Sequence, residues 1–568
     1  MTLDAGRLTV AQLKREGIDH LFSLNGGHVA LIYDACLDLG IRIVDVRHED
    51  AAVHMAHAWS RLTRGTGVAC VTAGPGVTNT VTAMATAFVN ASPLVLLGGK
   101  APVRQFDLGA LQDVDQVGVM RPVTKAAFTV FEGARTPEYV NAAIRLAHTP
   151  PHGPVYVEIP TDVMREAVAG EIAAHTLPPA RILARPGPDP GQIDQAIRHI
   201  ERAERPLILA GSGVIWSDAQ AALRSLAERL QAPILTTSLA RGILPDDHPL
   251  SLGAARSYLL GNADLILVAG TRFNYVLGYG RPPRFPEQAT VIQIDLAPGE
   301  LNRNRVTDLA IHADARTALE ALASRFPGAA PPRPWLIEAR IRQARAREAL
   351  LGDARSDARP IHPLRLCHEV VGTAPPGTIF VLDGGDILSF ARLAIDPDQP
   401  GQFLDPGPYG CLGVGLPFAN AAKLARPDAP VVCISGDGAL GINLMEFDTA
   451  VRHRLPVVVV VSNNAAWGIE WNSQRMDFGR ERTIGTALRD CRFDLMAQAL
   501  GGHGERVTDP GALGAAVRRA LDAGVPALVD VVTDVTAASP DLKRGLARVP
   551  DRQPLEFYGS EPPGPAGG

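Results

Sequence analysis

The chain has 568 residues, 46% of them hydrophobic and 20% charged, with a formal net charge of −5. That length exceeds one hydrophobic core and suggests about three domains. The mild negative charge offers no general attraction to nucleic acid, and no run of about 20 uninterrupted apolar residues predicts a membrane span.

The N-terminal stretch MTLDAGRLTV has no basic region followed by an apolar run. No secretory leader is expected, and cytoplasmic residence is. Six cysteines without a CxxC pair read as neither a disulfide framework nor a zinc site. Going along the chain, short β-branched runs alternate with amphipathic stretches. The runs are VACVT (68–72), PLVLLGG (93–99), PVYVEIP (154–160), RPLILAG (205–211), LILVAG (265–270), TVIQID (290–295), VVCIS (431–435) and VVVVVS (457–462). Apolar strands alternating with helices predict an α/β fold of parallel sheets covered on both faces. Two segments rich in proline and glycine, 177–191 and 326–334, interrupt the pattern. They divide the chain into domains at 1–176, 192–325 and 355–545, with a tail at 546–568.

In such sheets ligands sit at the carboxyl ends of strands. Gly436-Asp437-Gly438 directly follows VVCIS, and Asn463-Asn464 ends the next strand. The glycines let backbone N–H groups approach a phosphate, and the helix expected after them favours an anion at its N-terminus. Asp437 offers a hard oxygen, and Asn464, 27 positions on, offers another at the same edge. Mg²⁺ takes few protein oxygens and completes its shell with phosphate and water. The pattern therefore predicts a Mg²⁺-diphosphate site, where GDG alone would read as an ordinary strand-to-helix turn.

GDG followed by NN at this distance resembles the metal-diphosphate motif of thiamine-diphosphate-dependent enzymes. The stretch 45–99, from DVRHEDAAV through TAGPGVTN to PLVLLGG, resembles the pyrimidine-binding domain of the acetolactate synthase and 2-hydroxyacyl-CoA lyase group. The resemblance implies three doubly wound parallel-sheet domains in the order pyrimidine-binding, middle and diphosphate-binding. It implies thiamine diphosphate and Mg²⁺ as cofactors. Asp437, Asn464 and the Ala466 carbonyl would hold the metal. Asp386, Gly436, Gly438, Ala439, Asn464, Trp467 and Gly468 would contact the cofactor. Leu412, in PYGCLGVGLP, matches the apolar residue that holds the two cofactor rings in a V. Glu49 matches the catalytic glutamate, whose carboxyl shares a proton with the pyrimidine N1′ and favours the imino tautomer that removes the thiazolium C2 proton.

For substrate, GTRFNYVLGYGRPPRF (270–285) resembles 2-hydroxyacyl-CoA lyases and oxalyl-CoA decarboxylases, and differs from flavin-binding acetolactate synthases after the arginine. The stretch 109–125 carries the DQ…RP…K spacing of the CoA-acting group. Leu111-Gln112 stands where oxalyl-CoA decarboxylases have tyrosine-glutamate, which implies a bulkier, apolar acyl end. His28 on the first β-α loop is a candidate proton shuttle or a solvent-facing histidine. Trp467 and Glu470 are candidates for the substrate pocket or for scaffolding. Arg272 and Asp295 match positions that hold nucleotide in CoA-acting relatives, and also suit ordinary framework. The middle domain is thus expected to hold ADP, CoA, FAD or nothing. The tail, with Lys543, Arg544 and Arg548, reads as a lid meeting CoA phosphates or as a solvated basic segment. The expected activity is cleavage of a 2-hydroxyacyl-CoA to formyl-CoA and a ketone or aldehyde, with acetolactate-synthase-like carboligation as the alternative. The expected partner is a small acyl-CoA, with no nucleic acid or membrane, and the expected assembly is a homodimer or homotetramer with active sites between chains. No GxGxxG opens a strand-helix unit as a dehydrogenase would require, and the intact Glu49, Asp437 and Asn464 argue against a catalytically silent relative.

Overall fold

A computed structural model describes residues 3–169, 177–181 and 184–543. Three parallel sheets carry the fold. The first comprises β1 (His20–Leu24), β2 (Arg42–Asp45), β3 (Gly67–Val71), β4 (Leu94–Lys100), β5 (Ala126–Thr129) and β6 (Pro154–Pro160), in the order β2-β1-β3-β4-β6-β5. The middle sheet comprises β7 (Pro206–Ala210), β8 (Ile234–Thr236), β9 (Leu265–Ala269), β10 (Thr290–Asp295) and β11 (Leu309–His312), in the order β8-β7-β9-β10-β11. The third comprises β12 (Ile379–Asp383), β13 (Phe403–Leu404), β14 (Val431–Gly436), β15 (Val458–Asn463), β16 (His503–Val507) and β17 (Ala527–Val532), in the order β13-β12-β14-β15-β17-β16. The first and third sheets therefore share one strand order, a relation the sequence pattern did not reveal. β4, β6 and β12 are buried at every position, as sheets covered on both faces require.

Six helices position the site. They are α1 (Glu49–Thr63), α2 (Asp386–Ala394), α3 (Gly415–Ala425), α4 (Asp437–Asn443), α5 (Glu446–His453) and α6 (Gly468–Phe478). α1 and α3 each follow the second strand of their own sheet, and they pack against each other. Small residues permit the approach: Ala52, Ala56, Ala419 and Ala422 are all fully buried. A single apolar core runs from Phe22 and Met55 through Phe418 to Val459, so the first and third domains share it. The middle domain has its own core around β7, β9 and β10.

The strand order places a switch point beside the first strand of both outer sheets. Loops after β1 and β3 flank one crevice, and loops after β12 and β14 flank the other, which is where α/β sheets bind ligands. His28 and Gly74 lie at the first crevice, Asp386 and Asp437 at the second.

Candidate active site

At the third sheet, β14 ends in Gly436 and α4 begins on Asp437. The Asp437 carboxylate is 5% exposed. Its Oδ1 accepts the N–H of Gly438 at 3.0 Å, while its Oδ2 is buried without any hydrogen-bond partner. Burial, partly offset by backbone N–H groups of Gly438, Ala466 and Ala465, pushes its pKa up to about 6. A buried carboxylate oxygen without a donor is unfavourable alone and suits a cation ligand. Asn464, at the end of β15, accepts the Ala466 N–H at 3.1 Å. Two glycines keep this corner open. A Cβ on Gly438 would stand 2.6 Å from the Trp467 ring, and one on Gly468 would stand 2.6 Å from the Asn464 carboxamide nitrogen. Among the described residues no three His, Cys, Asp or Glu side chains converge as a metal cluster. The candidate oxygens here are instead one carboxylate, one carboxamide and backbone, a set that fits Mg²⁺ bound together with phosphate.

One cavity of about 1820 Å³ gathers most of the residues singled out from the sequence. It is lined by Asp386, Leu412, Gly436, Asp437, Gly438, Ala439, Asn464, Ala466, Trp467, Gly468 and Glu470, and also by Arg272 and Asp295 of the middle domain. The loop bearing Leu412 is held from beneath. The buried Asp383 carboxylate accepts the N–H groups of Gly413 (3.2 Å) and Gly415 (2.8 Å), and Asn443 donates to the Gly413 carbonyl at 2.8 Å. Burial pushes the Asp383 pKa up to about 6. Asp386 uses its carboxylate on the Ser539 N–H and on Asn472, both at 3.4 Å, which ties α2 to α6 and to the segment before residue 540. Arg272 donates to the Val89 carbonyl at 3.2 Å, and Asp295 accepts the Ala297 N–H at 2.8 Å. Burial raises the Asp295 pKa to about 6. Lys543 is exposed, while Arg544, Arg548 and the tail lie outside the described residues.

The remaining candidates collect at the first sheet and do not line that cavity. Glu49, the first residue of α1, is buried and accepts from the Asn79 carboxamide at 3.0 Å. The His28 ring meets the Thr72 hydroxyl at 3.1 Å, and burial lowers its pKa. Gly74 (φ 61°) lies under the following loop, where a Cβ would stand 2.7 Å from the Gln112 carbonyl. Gln112 also has a left-handed backbone (φ 58°), and Leu111 is 76% exposed. Gln116 anchors this loop, since it accepts the Gly74 N–H and donates to Gly99, Tyr156 and Glu158. Behind Glu49, α1 carries an ion pair. Asp50 meets His54 at 3.1 Å, and the wholly buried His54 also meets Cys411 at 3.9 Å. Burial alone would lower the His54 pKa, but the Asp50 charge and hydrogen bond, with Cys411, hold it up at about 10. Asp383, Asn443 and Glu446 are not singled out by the sequence, and Gln116 stands out there only as the glutamine of the DQ…RP…K spacing. Asp383, directly before the strand-end Gly384-Gly385, carried the one signal that pointed to it.

Family models for thiamine pyrophosphate enzymes match three parts of the chain. The N-terminal TPP binding domain matches residues 3–119, the central domain 193–322 and the C-terminal TPP binding domain 383–531. A probable acetolactate synthase of Mycobacterium bovis is 39% identical over 543 residues, covering 95% of this chain and 97% of that protein. The 2-hydroxyacyl-CoA lyase 2 of Homo sapiens is 34% identical over 549 residues, covering 88% and 84%. The protein of the same name from Caenorhabditis elegans is 34% identical over 558 residues, covering 91% and 86%. With all three domains matched in order and relatives aligned over almost their full length, the chain belongs to the thiamine pyrophosphate enzyme family.

Proposed function

We propose that this enzyme is a carbon–carbon lyase that cleaves a 2-hydroxyacyl-CoA, 2-hydroxyisobutyryl-CoA being the first candidate, to formyl-CoA and a ketone or aldehyde. The observation that carries this reading is the composition of the cavity wall. The wall that holds Asp437 and Asn464 continues into the middle domain, where Thr271, Arg272, Tyr275, Val276, Tyr279 and Arg284 line it. These belong to the stretch in which the chain resembles CoA-acting relatives. Arg256 and Arg392 face the same cavity, and burial, together with the neighbouring charges of Arg284 and Arg392, lowers the Arg256 pKa to about 10. Guanidinium groups gathered at one wall suit the phosphates of a CoA ester.

When bound, thiamine diphosphate supplies the carbon nucleophile and the electron sink for the cleavage. The chain's part is to hold and orient. Asp437, Asn464 and the Ala466 carbonyl hold Mg²⁺, and backbone at Gly436, Gly438 and Ala439 receives diphosphate. Leu412 would support the cofactor from a loop that Asp383 fixes. Glu49 holds a proton at N1′ of the pyrimidine. Arg272 and Asp295 take the nucleotide end of the substrate, while His28, Leu111, Gln112 and Glu470 take the acyl end.

Glu49 and Asp437 face different crevices within one chain, so we assign the complete site to two chains, one giving its first domain and the other its third. Exposed apolar side chains at the two crevices support this: Leu108, Leu111 and Val114 on one, Ile442 and Met445 on the other. Cytoplasmic residence, with a small acyl-CoA as partner, completes the proposal. Among the described residues no helix is long and apolar enough to cross a membrane. A second reading, acetolactate-synthase-like carboligation of 2-keto acids, draws support from the 39% identity to the probable acetolactate synthase. The absorption spectrum and the nucleotides released from purified protein separate the two. Adenine nucleotide without flavin is expected, and a bound flavin would favour the synthase.

A further inference from the structure

α5 begins on Glu446, a carboxylate of the third domain that is only 1% exposed. Its Oε1 accepts the backbone N–H of Arg47 at 3.0 Å and of His48 at 3.1 Å. Its Oε2 accepts the Thr449 hydroxyl at 2.6 Å and lies 3.3 Å from the same Arg47 nitrogen. Arg47 and His48 directly precede Glu49, and His48 is the N-cap of α1. The same helix grips the strand end one step earlier. Arg452 and His453 both pair with Asp45, and Asp448 pairs with Arg47. The carbonyl of Glu446 is in turn fixed by the buried Asn420 of α3 at 3.0 Å. No other carboxylate from the third domain reaches the backbone at the start of α1 among the hydrogen bonds of the described residues.

We infer that Glu446 is a positioning residue for Glu49. Two hydrogen bonds, from successive N–H groups of the backbone leading into α1 to one carboxyl oxygen, fix where the helix starts, and so fix the direction in which its first side chain leaves. Backbone N–H groups are strong, obligatory donors, and here two in succession meet the same carboxylate oxygen. Glu446 touches neither cofactor nor substrate and acts only through the backbone of Arg47 and His48. The inference rests on the proposed role of Glu49 at the pyrimidine nitrogen.

The test compares Glu446→Ala, Glu446→Gln and Asp448→Ala in full-length protein saturated with thiamine diphosphate and Mg²⁺. The primary readout is the rate of deuterium exchange at the thiazolium C2, followed by NMR after acid quench. The second is backbone amide exchange over residues 45–49 without cofactor, followed by mass spectrometry. Glu446→Ala should speed amide exchange and slow C2 exchange by about tenfold or more, since small displacements of catalytic groups cost up to roughly a hundredfold. Glu446→Gln, which keeps one acceptor oxygen, should recover most of that rate. Asp448→Ala loses side-chain pairs of the same interface and should lower thermal stability while leaving C2 exchange unchanged. If Glu446→Ala does not fold, Glu446→Asp, which withdraws the charge by one methylene, is judged by the same criterion. A folded, cofactor-loaded Ala or Asp variant with wild-type C2 exchange would overturn the inference. If Glu49→Gln also exchanges at the wild-type rate, the role of Glu49 is what fails.

Discussion

Gly438 lies so close to Trp467 that a Cβ built on the glycine would stand 2.6 Å from the indole ring. Trp467 immediately precedes α6 and follows the corner formed by Asn464 and Ala466. Gly438→Ala must therefore displace the indole, which lines the same cavity as Asp437 and Asn464. The variant should fold but bind thiamine diphosphate at least about tenfold more weakly, a loss of ~1.4 kcal/mol. Quenching of tryptophan fluorescence during cofactor titration checks this, and unchanged affinity would show that the glycine is not needed for the cradle.

Asp437→Asn separates the cost of a buried charge from its use. The partnerless Oδ2 is unfavourable without a cation. Without metal, the Asn variant should melt no lower than the wild type. With Mg²⁺ and thiamine diphosphate, the wild type should gain stability by mass action and the variant should gain much less. Thermal melts in the four conditions decide it. An equal gain in both proteins would refute the metal assignment.

Glu49→Gln should retain cofactor binding and lose turnover. The amide cannot share a proton with the pyrimidine nitrogen as a carboxyl does. The expected loss is about 10²- to 10⁴-fold. A variant that keeps more than roughly a tenth of wild-type turnover would remove Glu49 from the mechanism.

The Asp50–His54 pair predicts a pH dependence of stability. The folded-state pKa of His54, held up at about 10, lies above its ordinary 6.5. Its contribution is fully present below pH 6.5 and is lost as pH rises towards 10. The stability of wild type relative to His54→Gln should therefore decline across that window, by at most ~1.4 kcal/mol per pH unit for one proton. Urea unfolding at pH 6, 8 and 9.5 measures the difference, and a difference independent of pH would mean that His54 is neutral in the folded protein.

Much of this arrangement was legible in the sequence because it is local. Asp437 and Asn464 end successive apolar strands, so strand period and spacing place them at a sheet edge, while Glu49 is picked out by the family resemblance of the stretch around it. The supports were not legible because they act through backbone N–H groups remote in sequence. Glu446 reaches His48 across 398 positions, and Asp383 reaches Gly415 across 32. A carboxylate that serves a distant peptide leaves no spacing to read. The shared strand order of the outer sheets, and the packing of α1 on α3, likewise depend on which strands neighbour each other, which hydrophobic pattern does not encode.

The central claim is that the cavity takes a 2-hydroxyacyl-CoA. The most direct measurement incubates purified protein, thiamine diphosphate and Mg²⁺ with 2-hydroxyisobutyryl-CoA in one vessel and with pyruvate in another, and identifies products by mass spectrometry. The account predicts formyl-CoA and acetone from the first. From pyruvate it predicts little acetolactate, because the CoA contacts and their binding energy go unused. Robust acetolactate formation, with no cleavage of this or related 2-hydroxyacyl-CoA esters, would contradict the substrate assignment and leave the membership in the thiamine pyrophosphate enzyme family intact.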